Sequence, residues 1–123
     1  FLLSTTGTAT TVGEATGTIV GMLENQDYRN AELRLQPGET LLLYTDGFPE
    51  ARTSSGEFYG APRIKSFLQR QANSSVNVLC ETAIREISAF QEDNLADDIT
   101  ILALRRITGD KPGLFSEILK PRA

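Results

Sequence analysis

The chain has 123 residues with 40% hydrophobic content, enough for one modest core, so one domain or part of one is expected. Sixteen acidic residues against twelve basic ones leave a formal charge of −4 with no long basic run, which argues against nucleic acid or anionic membrane as a partner. Histidine is absent and Cys80 is the only cysteine, so a His-based triad, an intramolecular disulfide and a thiolate zinc cluster are excluded; any metal must be held by oxygen, as suits Mg²⁺, Mn²⁺ or Ca²⁺.

No apolar run is long enough to span a bilayer, and Phe1-Leu2-Leu3 is too short for a signal-peptide core, so membrane insertion is not expected and a cytoplasmic location is. The chain opens without methionine, in apolar sequence resembling the middle of a strand, and is expected to be a piece of something longer. Threonines and glycines dominate as far as Thr18, a composition that favours strands and turns. It predicts short strands over Phe1 to Ser4 and Thr10 to Ala15 about a turn at Thr6-Gly7. Gly17 to Leu23 reads as a loop packed onto the core. From Tyr28 to Leu35, polar Arg29, Glu32 and Arg34 interleave with Ala31, Leu33 and Leu35, the period of a half-buried strand. Gln36-Pro37-Gly38-Glu39 has the residues of a type II turn, which would fold that strand back against Thr40 to Thr45.

Leu41-Leu42-Leu43-Tyr44 is an unbroken apolar run, suited to a strand covered on both faces. It ends at Asp46-Gly47, where glycine's access to positive φ favours a sharp turn. The turn would hold a carboxylate at the rim of a rigid sheet, where a metal ligand or catalytic acid is well placed. An ordinary hairpin turn explains Asp-Gly equally simply.

A polar loop follows Glu50, and Pro62 suits the first turn of a helix with Ile64, Phe67 and Leu68 on one face through Arg70 or Gln71. Asn73-Ser74-Ser75 breaks that helix and caps the next, where Val76, Leu79, Cys80, Ala83, Ile84, Ile87 and Phe90 recur at steps of three and four. Cys80 falls on this apolar stripe and reads as a small buried residue rather than a nucleophile, having no histidine to activate it. Asp97-Asp98 then precedes Ile99 to Leu104, a β-branched and apolar run that predicts a second buried strand ended by Arg105-Arg106. An antiparallel pairing of the two apolar strands would bring Asp97 to face Asp46; a solvated turn is the plain alternative. Residues 108–123 read as a linker or tail beyond a domain portion covering 1–107.

Two acids brought to one rim repel each other unless a cation neutralises them. Oxygen ligands suit Mg²⁺ or Mn²⁺, and a pair of such ions can activate a water toward phosphorus. The segments Leu35 to Glu39, Leu43 to Ala51, Gly56 to Gly60 and Asp97 to Leu102 resemble, in order and approximate spacing, the SpoIIE-like branch of the metal-dependent protein phosphatases, the PPM or protein phosphatase 2C superfamily. Gly17 to Leu23 resembles the family's glycine-containing segment, extending the likeness from about Phe1 to Arg106. The resemblance implies an α+β fold, an α-β-β-α sandwich of two antiparallel sheets flanked by helices, present here as an incomplete C-terminal portion. It implies hydrolysis of phosphoserine or phosphothreonine with Mn²⁺ or Mg²⁺, without a phosphoenzyme intermediate. By position, Asp46 and Asp97 match metal-ligating aspartates that share one ion and act in catalysis, Asp98 takes the neighbouring place as a supporting metal-site residue, and Glu50 has at most an outer-sphere role.

The family's earlier acidic residue and earlier Asp-Gly have no counterpart here, since Asp46-Gly47 is the only Asp-Gly in the sequence. The 123 residues alone are therefore expected to bind Mn²⁺ weakly and hydrolyse phosphate esters poorly, and unpaired strand edges make a homodimer an expectation. The implied partner is a phosphorylated anti-sigma-factor antagonist of the STAS type. The alternative is a non-catalytic phosphatase-like interaction module in a partner-switching regulator. A receiver-type phosphoacceptor is disfavoured, because the chain lacks alternating β and α units.

Overall fold

The structure, a computed structural model, describes residues 1–13, 17–91 and 98–107. Six elements occur among them: β1 (Leu2–Leu3), β2 (Ala9–Thr10), β3 (Thr40–Tyr44), α1 (Gly60–Arg70), α2 (Val76–Gln91) and β4 (Ile101–Arg105). The strands form an antiparallel sheet in the order β2-β1-β3-β4. This agrees with the α+β expectation for one helix-backed sheet; a second sheet does not occur among the described residues.

The apolar run at Leu41 is central, as its composition implies. Its register against β4 runs from Thr40 opposite Arg105 to Tyr44 opposite Ile101. On its other side, Leu2 pairs with Leu41, and Phe1 and Leu42 exchange backbone hydrogen bonds of 3.0 and 2.9 Å. Only one face is covered, however. Leu42 is buried, whereas Leu43 is 47% and Leu102 50% exposed, so the described residues leave the opposite face apolar and open. Continuous apolar sequence marks a strand with hydrophobic side chains on both faces, and it does not say which neighbours supply the cover.

Two helices supply the cover on the buried face. In α1 the residues Ile64, Phe67 and Leu68 are fully buried, at the steps of three and four that put them on one stripe. In α2 the buried line is Leu79, Ala83, Ile87 and Gln91, and the Ser75 hydroxyl caps the helix by accepting the Val78 N–H at 3.3 Å. Ile84, expected on this stripe, is 45% exposed, because a step of one residue from Ala83 rotates it away from the sheet. Cys80 packs partly buried against the core, as an apolar residue would. Each large side chain fully withdrawn into this layer contributes about 1.5–3 kcal/mol.

Two expectations for the first third of the chain fail. Residues 28–35 form no strand, and Leu33 and Tyr28 are exposed. Both edges of β3 are already occupied, by β1 and β4, so the alternating segment has no edge there to join. Gly17 to Leu23 does not pack on the core either, since Ile19 and Val20 are 74% and 83% exposed. The turn at 36–39 does form: Gly38 has φ +85° and the Glu39 N–H donates to the Gln36 carbonyl at 3.0 Å. It leads the chain into β3 without closing a hairpin. The strand expected at Thr10 to Ala15 is shorter and begins earlier, at Ala9, and residues 14–15 of it lie outside the described residues. The expected tail, 108–123, lies outside them too.

Candidate metal centre

Asp46 owes its place to anchors on either side of it. Tyr44 and Phe48 meet edge to face at 5.6 Å between ring centroids, Phe48 stacks on Tyr59 at 5.6 Å, and Tyr59 meets Phe90 of α2 at 5.1 Å. Phe48 is completely buried, so the turn is held down from below while Asp46 is left outside. The turn closes through the Phe48 N–H on the Thr45 carbonyl at 3.1 Å and the Glu50 N–H on the Asp46 carbonyl at 3.0 Å. One carboxylate oxygen of Asp46 accepts the Gly47 N–H at 3.0 Å, and the other accepts no hydrogen bond among the described residues.

The second acidic segment lies against this turn. The ladder continues past β3 and β4 where the Thr45 N–H donates to the Thr100 carbonyl at 3.1 Å. The Thr45 hydroxyl accepts the Thr100 N–H at 3.0 Å and donates to the Asp98 carbonyl at 3.4 Å. Thr45 thereby clasps the start of one strand to the end of the other. Sequence reasoning missed this role, since a threonine before Asp-Gly carries no signal beyond strand preference.

Gly47 corrects the reason given for the Asp-Gly pair. Its φ is not in the left-handed region; the need is for space. A Cβ at Gly47 would stand 2.8 Å from the Asp98 carbonyl oxygen and 3.3 Å from the Ile99 side chain, closer than the backbone could accept without moving. Glycine lets the two acidic segments touch.

Among the predicted site residues, the structure brings together Asp46 and Asp98, both exposed, in adjoining backbone segments, with Glu50 exposed at the end of the same turn. Asp97 lies outside the described residues. No cluster of three candidate ligand side chains occurs among the described residues. The donors fit a hard divalent cation in kind, being carboxylate oxygens with unspent acceptor capacity at a rigid rim.

The family model for stage II sporulation protein E, SpoIIE, matches residues 1–107. Over 93 residues the chain is 29% identical to the phosphoserine phosphatase RsbU of Bacillus subtilis and 32% identical to the protein IcfG of Synechocystis. Each match takes in 76% of this chain, but only 28% of RsbU and 15% of IcfG, so the chain spans a minor part of either relative. Among solved structures it is similar to the SiaA-PP2C domain of Pseudomonas aeruginosa, with a TM-score of 0.59 and 32% identity over 66% of this chain and 34% of that one.

Proposed function

The chain belongs to the SpoIIE family, within the PPM phosphatases, and from that premise we propose that it forms part of a metal-dependent phosphatase that hydrolyses phosphoserine or phosphothreonine on a regulatory protein. In this reading Asp46 and Asp97 hold one Mn²⁺ or Mg²⁺ ion and act in catalysis, Asp98 supports them from the neighbouring position, and Glu50 contributes at most from outside the ligand set. The observation that carries it is the contact between the Asp46-Gly47 turn and the Asp98 backbone, made close by a glycine and fixed by Thr45.

Bound there, a divalent cation supplies Lewis acidity and charge neutralisation for attack of water on phosphorus. The chain's own contribution is preorganisation. The turn presents the Asp46 carboxylate with one oxygen already oriented by Gly47, and the buried Phe48 keeps that orientation from relaxing. The likeness to a phosphoserine phosphatase supports a phosphoprotein substrate, and the substrate proposed is a phosphorylated STAS-type antagonist of an anti-sigma factor in the cytoplasm. Among the described residues, no helix is long and apolar enough to cross a membrane.

Hydrolysis of p-nitrophenyl phosphate and of a phosphoserine peptide by the full-length protein, with and without Mn²⁺, tests the reading. Metal-dependent turnover lost on Asp46→Asn supports it. No turnover of either ester leaves the non-catalytic interaction module in its place.

A further inference from the structure

Directly after the Asp46 turn the chain doubles back on itself. Ala51 is buried, and its carbonyl accepts the Tyr59 N–H at 2.7 Å, while the Gly60 N–H reaches the Pro49 carbonyl at 2.9 Å. Between these tethers Arg52 pairs with Phe58 across an antiparallel bridge. The tip is tied by the Thr53 N–H on the Glu57 carbonyl at 3.0 Å and the Glu57 N–H on the Thr53 hydroxyl at 3.1 Å, with Gly56 at φ +86°. The result is a small fixed hairpin attached to the rim that carries Asp46.

Its two arginine neighbours are in opposite situations. Arg63 is fully engaged: it pairs with Glu57, donates to the Phe58 and Tyr59 carbonyls, and lies over the Phe90 ring. Glu57, the carboxylate next to the hairpin's tip, is thereby neutralised, while Glu50 at its base makes no ion pair among the described residues. Arg52 has its guanidinium carbon 4.4 Å from the centre of the Phe58 ring and no carboxylate within 4 Å among the described residues. Arg52 and Phe58 are both exposed. A cation stacked on a ring keeps its charge and its planar donor fork while losing part of its rotamer freedom, which prepares it to grip a carboxylate in two-point fashion. In a chain of net charge −4, an unneutralised and preoriented arginine beside an acidic rim is a selective feature.

We propose that the Arg52–Phe58 face of this hairpin is a substrate-docking contact, which selects phosphoproteins with acidic side chains close to the phosphorylated residue. This rests on the phosphatase reading above and adds the substrate's charge pattern to it. In this proposal the phosphoryl group sits at the rim with Asp46, and the hairpin, which follows that turn directly in the chain, meets the residues flanking the phosphate.

The test compares two phosphoserine peptides of equal length, one flanked by Asp and Glu and one by Ala and Ser, as substrates of the full-length protein with Mn²⁺, alongside p-nitrophenyl phosphate. The wild type is expected to favour the acidic peptide by about threefold to fivefold in kcat/KM, mainly through KM, with the preference shrinking as salt is added. Arg52→Ala should bring the ratio of the two peptides to about one, and Arg52→Lys should keep part of the preference. Turnover of p-nitrophenyl phosphate with no preference between the wild-type peptides, or a preference that survives Arg52→Ala, overturns the docking proposal alone. A loss on Arg52→Ala shared equally by both peptides also overturns it, since that is the signature of a phosphoryl contact or of general damage. Absence of turnover on all three substrates overturns the phosphatase reading and this proposal with it.

Discussion

The two ends of the β3–β4 ribbon are built from opposite charges put to opposite uses. At one end arginine closes the structure: Arg105 donates to the Thr40 hydroxyl at 2.6 Å and to the Ser74 carbonyl at 2.7 Å, tying the sheet to the connection between the helices. Arg106 donates its backbone N–H to the Glu39 carbonyl and a guanidinium N–H to the Leu35 carbonyl, while the Gly38 N–H reaches the Arg106 carbonyl at 2.7 Å. At the other end, Asp46 and Asp98 keep acceptor capacity unspent. The difference teaches how a short ribbon divides its ends: most donors are spent where the sheet is tied to its surroundings, and acceptors are left open at the end where the proposed cation would sit.

Substitutions can break this contrast, and the largest effect is expected at the open end. Asp46→Asn removes a charge without removing volume, so Mn²⁺-dependent hydrolysis by the full-length protein should fall by more than about a hundredfold. The thermal midpoint should hardly move, because the Asp46 side chain makes only a local hydrogen bond to Gly47. Gly47→Ala should damage both properties. Its Cβ would collide with the Asp98 carbonyl, costing about 1–3 kcal/mol in denaturant melts as the two segments part, together with a loss of metal affinity.

At the closed end the expected effects are on stability alone. Arg105→Ala removes two hydrogen bonds and should cost about 1–3 kcal/mol by chemical denaturation, with turnover per folded molecule retained. One guanidinium nitrogen of Arg105 is buried without a partner among the described residues, which keeps the figure below what two fully compensated bonds would suggest.

The smallest effect belongs to the network behind the turn. The Tyr59 hydroxyl donates to Glu86 at 2.6 Å, and Glu86 also receives Arg70 through both oxygens at 2.8 Å. Burial first, and then the bond to Glu86, pushes the Tyr59 phenol well above its ordinary value of 10.0. The folded state thus favours the neutral phenol. Its contribution is fully present below about pH 10 and is lost as pH rises toward the folded value. Tyr59→Phe should cost about 1 kcal/mol at neutral pH and make stability fall less steeply in alkali, as read from melts between pH 7 and pH 11.

Much of the fold near the site was legible because its signals are local. The apolar run at Leu41, the 3.6-residue stripes of α1 and α2, the Ser75 cap and the turn at Gly38 each depend on a few adjacent residues. The pairing of β3 with β4 was also legible, from two apolar runs with acids at complementary ends. Residues 28–35 misled because alternation describes what a strand would need and is silent about whether an edge is free. Leu43 and Leu102 misled in a related way, since a buried-strand composition does not say which face is covered. At the site itself, the expectation of an acid at the rim agrees with the exposed position of Asp46, but the reason for Gly47 and the clasp made by Thr45 are contacts across more than fifty residues. Neither leaves a trace in local sequence.

The shared-cation account is tested most directly by a double-mutant cycle on Mn²⁺ affinity, measured by titration calorimetry on the full-length protein with Asp46→Asn, Asp97→Asn and the pair. Each single change should weaken binding by about tenfold or more, and the pair should weaken it by clearly less than the product, because a site that has lost one ligand has less to lose with the second. Unchanged affinity in either single variant, or losses that multiply as independent effects do, would contradict a common ion between residues 46 and 97.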